Sequence, residues 1–131
     1  MSQQQVMIGA RHPLSATFLL HIALESPVAI QGLLAAQNLP FLDMNNTSLI
    51  IIRLFSALSA ASCLGAFLVF PLPEYLPGKR AVAIILMLYH MIAAGIFWQA
   101  PRFIPYSLGA LAEQAKLTPE LLWAGLHGVV A

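Results

Sequence analysis

The sequence predicts an all-α, polytopic membrane helix bundle with three full spans and a fourth, partial span. Three observations carry this prediction. Of the 131 residues, 60% are hydrophobic and 8% are charged, and the mean hydropathy is +0.82; a soluble domain has about a quarter charged residues. Long apolar runs recur, the clearest being AVAIILMLYHMIAAGIFWQ at 81–99, which follows Lys79 and Arg80 and closes on Trp98. Such a run is long enough to cross a hydrocarbon core of about 30 Å, and it carries the basic and aromatic flanks of a spanning helix. Prolines and polar residues then separate the runs into elements.

After several spans are subtracted, the length leaves room for one domain, 1–131. With a net charge of +1 built from so few charges, there is no basic surface for a phosphate backbone, which excludes nucleic acid as a partner class. Cys63 is the single cysteine and can form no internal disulfide.

In chain order, residues 1–13 read as a short extramembrane tail, uncharged before Arg11 and lacking the basic start of a secretory signal. The first span, 14–36, contains His21, Glu25, Pro27 and Gln31. Pro27 cannot donate to the carbonyl of Ala23, so a kink is expected beside Glu25. The linker that follows contains acceptor triplets at Asn45–Thr47 and Asn46–Ser48, which matter only if this loop is lumenal. The second span, 48–70, is interrupted by Arg53 and places Ala57, Ala61 and Gly65 on one face, a small-residue stripe that lets another helix approach closely.

A proline-rich turn, PLPEYLPGKR, leads into the third span at 81–99, and Pro101 and Pro105 end it. Residues 106–117 have their apolar positions at helical spacing and are expected to form a helix on the membrane surface. Thr118, Pro119 and Glu120 form a helix start. The segment 119–131 runs for about 20 Å, short of the roughly 30 Å needed to cross, so it is expected either to stop part-way or to belong to a longer version. Basic residues outside the spans are Arg11, Lys79 and Arg80 on one side against Arg102 and Lys116 on the other, which favours a cytosolic N-terminus.

Up-down threading at 1.5 Å per residue sets the depth of each polar group. Measured from the N-terminal face, His90 lies at about 15 Å, Glu25 at about 18 Å and His127 at about 20 Å, with His21 one turn shallower. These four groups share the middle of the membrane, and Arg53 lies near the far interface. His21 and Glu25 are four apart on one helix face, so Glu25 is expected to hold the His21 imidazole.

Several readings of this polar set stay open. Hydrogen bonds among the four groups can simply lock helices together. A carboxyl and imidazoles in an apolar cleft also suit acid–base chemistry on a lipophilic substrate, such as isomerisation, cyclisation or epoxide opening. In that reading Glu25 and His90 are the proton-transfer pair, His21 orients Glu25, His127 closes the cleft, and Arg53 stabilises developing negative charge. Arg53 can equally snorkel to the interface or pair with Glu25.

Metal binding is chemically open to these ligand types, but HxxxE is a looser pattern than HExxH, and no metal or other cofactor is expected. Ion passage is a fourth option, one that three spans serve poorly without oligomerisation. Ser56, Ser59 and Ser62 read as hydroxyls bonding back to the helix or to a neighbour, and Cys63 as a small buried apolar group. The expected partners are the lipid bilayer, a hydrophobic small molecule, and a membrane protein or second copy docked on Ala57, Ala61 and Gly65. The competing functional class is therefore a non-catalytic assembly subunit.

RLFSALSAASCLGAFLVF, a basic turn, and LMLYHMIAAGIFW with a histidine centred in the third span together resemble the small four-span fungal membrane proteins of unknown function. Some of these are encoded among secondary-metabolite genes. The likeness covers about Arg53 to Trp98 and then the histidine-bearing last segment, and rests on layout. It implies an endoplasmic-reticulum membrane protein that acts on a hydrophobic polyketide or terpenoid, or assists enzymes that do. It supplies no catalytic residues.

Overall fold

The computed structural model describes residues 13–131; the expected tail lies outside the described residues apart from Pro13, which opens the first helix. The helices are α1 (Pro13–Ala35, followed by a 3-10 turn at Ala36–Asn38), α2 (Asn46–Val69), α3 (Pro77–Gln99), α4 (Ala110–Gln114) and α5 (Pro119–Val130). The fold is all-helical, with no strand among the described residues. Three helices, α1 to α3, are long and apolar enough to cross a membrane.

Local chemistry sets the helix ends. Leu39 and Ala100 adopt extended backbone conformations ahead of Pro40 and Pro101, as the residue before a proline must to avoid its ring. Asn45 caps α2 by accepting from Ser48 N at 2.9 Å, and this starts the helix two residues before the expected boundary. Thr118 caps α5 through Leu121 N at 3.3 Å, with Pro119 in the first turn. α1 runs on past Pro27 to Ala35.

α3 starts at Pro77, four residues before the expected boundary, because Lys79 is not a solvated flank. Its side chain is 1% exposed, and Nζ donates to Phe70 O and Leu72 O, both at 2.9 Å, and to Glu74 Oε1 at 2.7 Å. Ser15 Oγ donates to the same Glu74 oxygen at 2.9 Å. The ammonium thereby satisfies carbonyls at the end of α2, and α1 is bonded to the turn between α2 and α3. Below this cluster lies the apolar core of Phe18, Ala66, Ala83 and Leu86.

The expected surface helix at 106–117 shrinks to one turn. Gly109 enters it at φ 104° and Lys116 leaves it at φ 55°, left-handed conformations that end regular helix on both sides. Arg102 and Glu113 pair across this loop at 3.2 Å. The Ser107 hydroxyl and the Arg102 guanidinium hold the Glu113 carboxyl below its ordinary pKa, at a surface where such pairs contribute little.

α1 packs chiefly along α2, and α3 along α5, while α1 also meets α3 and α5 and so joins the two pairs. The face that α2 turns inward is Ser56, Ser59, Cys63 and Ala66. Gly32 lets α1 and α2 approach closely: a Cβ there would overlap Ser56 Oγ and lie 3.0 Å from Ser56 Cβ. Gly32→Ala is therefore expected to lower stability by about 1–3 kcal/mol through overpacking, read as a lower melting temperature in detergent. Lys79→Ala removes the cation from a buried pair and should cost about 3 kcal/mol or more, measured in the same way.

Candidate functional site

The middle of the bundle holds a continuous polar chain contributed by four helices. His21 and Glu25 come from α1, Ser59 and Ser62 from α2, Tyr89 and His90 from α3, and His127 from α5. His21, Glu25, Ser59, His90 and His127 are all buried. His21 Nε2 lies 3.0 Å from Ser62 Oγ, His21 Nδ1 lies 2.9 Å from His90 Nε2, and His90 Nδ1 lies 2.7 Å from His127 Nδ1. The Glu25 carboxylate accepts from Ser59 Oγ at 3.0 Å through Oε2 and from Tyr89 OH at 3.1 Å through Oε1, and Oε1 is 3.8 Å from His127 Nδ1.

The direction of the histidine chain follows from its serine end. Ser62 Oγ donates to Ser59 O at 2.8 Å, so it accepts from His21 Nε2–H. A neutral His21 then presents a bare Nδ1 to His90 Nε2–H, and the bare Nδ1 of His90 accepts from His127 Nδ1–H. This assignment, made from the network, keeps all three imidazoles neutral with every contact satisfied, the arrangement that an apolar interior favours. His127 is left with Nε2 as its acceptor.

The four midplane groups expected from depth counting come together, but their pairing differs from expectation. Glu25 does not hold His21; His21 turns to His90 and Ser62, while Glu25 is bonded by Ser59 and Tyr89 and lies nearest His127 among the imidazoles. Helix spacing puts His21 and Glu25 on one face, but the partners they find there are on other helices. Arg53 is exposed on the flank of α2, outside the cluster, and does not pair with Glu25. Tyr89 has no part in the expected site. Its signal in the sequence is a phenol at mid-span, where an aromatic with a polar end needs a partner, rather than at the interface belt.

A cavity of ≈ 280 Å³ opens onto one end of the chain. Glu25, Tyr89 and His127 line it, together with Ser56, whose buried hydroxyl has no hydrogen-bond partner. Phe41, Phe55, Phe97, Phe103 and Trp123 form much of the apolar wall. Loops supply one side of the cavity: Leu42 N donates to Phe103 O at 2.9 Å, the Phe41 and Phe103 rings lie 5.6 Å apart, and Glu120 Oε1 accepts from Phe103 N and Ile104 N at 2.9 Å each. Glu120 thus ties the start of α5 to the loop that lines the cavity. His21 and His90 lie behind Glu25 and His127 and do not line it.

Such an arrangement can present a carboxyl, a phenol and an imidazole to one apolar ligand and pass a proton along the histidines behind them. If Glu25 depends on Tyr89 as this geometry requires, Tyr89→Phe should lower stability by about 1 kcal/mol. Arg53→Ala should leave it within about 0.5 kcal/mol of the parent; thermal unfolding of both variants in detergent checks the contrast. No protein-family model, curated protein or solved structure matches the chain.

Proposed function

We propose that the chain is a small integral membrane protein that performs acid–base chemistry on a lipophilic metabolite, of the isomerisation, cyclisation or epoxide-opening type. The observation that carries the reading is the joint placement of Glu25, Tyr89 and His127 on one largely apolar cavity. Groups that only lock helices together need no such space in front of them. In this reading His127 accepts a proton through Nε2, the Glu25 carboxylate 3.8 Å from its Nδ1 offsets the charge that results, Tyr89 supplies a proton to the opposite end of the reacting group, and His90 and His21 hold His127 in its tautomer. This departs from the roles expected for Glu25, His21, His90 and His127, and gives Arg53 none. The resemblance in layout to fungal membrane proteins encoded among secondary-metabolite genes accords with a hydrophobic polyketide or terpenoid substrate and an endoplasmic-reticulum membrane, and the distribution of basic residues accords with a cytosolic N-terminus.

A second reading, a non-catalytic assembly subunit, is favoured by one observation. Ala57 and Ala61 are exposed, and a Cβ on Gly65 would meet nothing, so the small-residue stripe faces away from the chain's own helices. A membrane helix could pack there closely.

The two readings separate in the host. Glu25→Gln and His127→Ala, each shown to remain folded in detergent, are expected to reduce formation of one lipophilic product by about 10²–10⁴-fold, read by comparing extracts of cells with the parent gene, the variants and no gene. Unchanged extracts from folded variants would remove the enzyme reading. Loss of a membrane partner on Ala61→Leu, with the product unaffected by Glu25→Gln, would put the assembly role in its place.

A further inference from the structure

We propose that His21, Glu25 and His90 form a binding site for a divalent first-row transition ion, a two-imidazole, one-carboxylate centre between α1 and α3. Each residue offers a ligand atom, the three atoms lie within 4.8 Å of one another, and all three residues are buried. His21 Nδ1 and His90 Nε2 face each other at 2.9 Å. Ligand atoms around a tetrahedral ion with metal–nitrogen bonds of about 2.0–2.1 Å are roughly 3.3 Å apart, so the two imidazoles need to part by only a few tenths of an ångström, while the set as a whole, which spans up to 4.8 Å, must draw in by a rotation of the Glu25 side chain.

The stronger observation is what holds the far side of each ligand. The other ring nitrogen of His21 is bonded to Ser62 Oγ at 3.0 Å, and the other nitrogen of His90 to His127 Nδ1 at 2.7 Å. The two oxygens of Glu25 are held by Ser59 at 3.0 Å and Tyr89 at 3.1 Å. Metal-ligating imidazoles are typically oriented by a partner on their second nitrogen, and ligating carboxylates by further hydrogen bonds. All three residues here have such a partner.

The proton balance works without a charged histidine. Ligation through His90 Nε2 moves its proton to Nδ1, which then donates to His127 Nδ1, and the proton of His127 moves to Nε2. Every imidazole stays neutral, and His21 already presents a bare Nδ1. Two neutral imidazoles and one carboxylate suit zinc or ferrous iron, whereas calcium and magnesium require mostly oxygen ligands. An ion beside Glu25 also offsets the cost of a carboxylate at the bilayer midplane. With Glu25 taken as a ligand, Tyr89 and His127 are left to face the cavity, and His127 presents an Nε2–H donor there in place of the bare nitrogen of the ion-free chain. The inference goes beyond the proposed reaction, because metal content is measured without a substrate.

The test uses the full chain, purified in detergent, stripped with a chelator and titrated with Zn²⁺ and, as a spectroscopic probe, Co²⁺. The expected result is one ion per chain with a visible Co²⁺ spectrum, affinity at least 100-fold weaker in His21→Ala and His90→Ala, and about 10–100-fold weaker in His127→Ala, whose side chain supports a ligand without being one. Where an alanine variant does not fold, His90→Gln takes its place and is expected to show the same loss. A folded parent chain with no stoichiometric ion would overturn the proposal, as would a folded His90 variant that binds like the parent. A chain that binds no ion yet forms the product removes the metal site and keeps the acid–base reading; an ion bound in a chain that forms no product does the reverse.

Discussion

The structure depends on satisfying one carboxylate, Glu25, in the middle of an apolar bundle. Hydrocarbon offers it no hydrogen bonds, so its partners must come from the chain itself. Ser59 on α2 and Tyr89 on α3 bond to it, and His127 on α5 lies beside it. One side chain on α1 therefore gives each neighbouring helix a reason to present a particular face. The same requirement extends the network outward, since an imidazole brought near Glu25 must itself be satisfied. His127 finds His90, His90 finds His21, and His21 finds Ser62.

The ends of the bundle follow the same rule with different groups. Lys79 gathers two carbonyls and Glu74 where α2 turns into α3, and Glu120 accepts two backbone N–H groups where the loop after α3 returns to α5. Both are charged residues near helix ends, yet both are buried and serve to satisfy backbone groups. With the ends held this way, the centre can leave a cavity open without loosening the fold. The close approach of α1 and α2 at Gly32, against Ser56 and Ile52 of the cavity wall, supplies tight packing beside it.

The function argued above rests on the meeting of these two features, a satisfied polar chain and a cavity at one end of it. Each neutral imidazole carries one donor and one acceptor, so the His90–His127 bond can reverse at small cost while Ser62 keeps His21 in its tautomer. The same property suits proton transfer at the cavity and the tautomer change that ion binding at His21, Glu25 and His90 entails. The two uses differ in what occupies the centre, and the surrounding protein is built the same way for both.

Much of the architecture was legible from the residues alone, because spanning depends on local sums. Twenty apolar residues transfer into a bilayer largely regardless of their neighbours, prolines end helices where they stand, and a rise of 1.5 Å per residue fixes depth. That arithmetic was enough to bring His21, Glu25, His90 and His127 to one level. It could not say which donor meets which acceptor, because that depends on how each helix is rotated and how closely it is crossed. Those quantities are set by contacts far apart in sequence, such as Gly32 against Ser56 and Phe18 against Ala66, Ala83 and Leu86. Hence Tyr89 entered the site unannounced, Arg53 fell outside it, His21 turned from Glu25 to His90, and Lys79 proved buried. By itself the sequence determined that this is a bundle of apolar helices with titratable groups at its midplane, since transfer free energy and helical rise are properties of a segment. Only the tertiary structure decided that those groups form one hydrogen-bonded chain ending at a cavity, since hydrogen bonds between helices depend on the rotation and spacing that packing imposes.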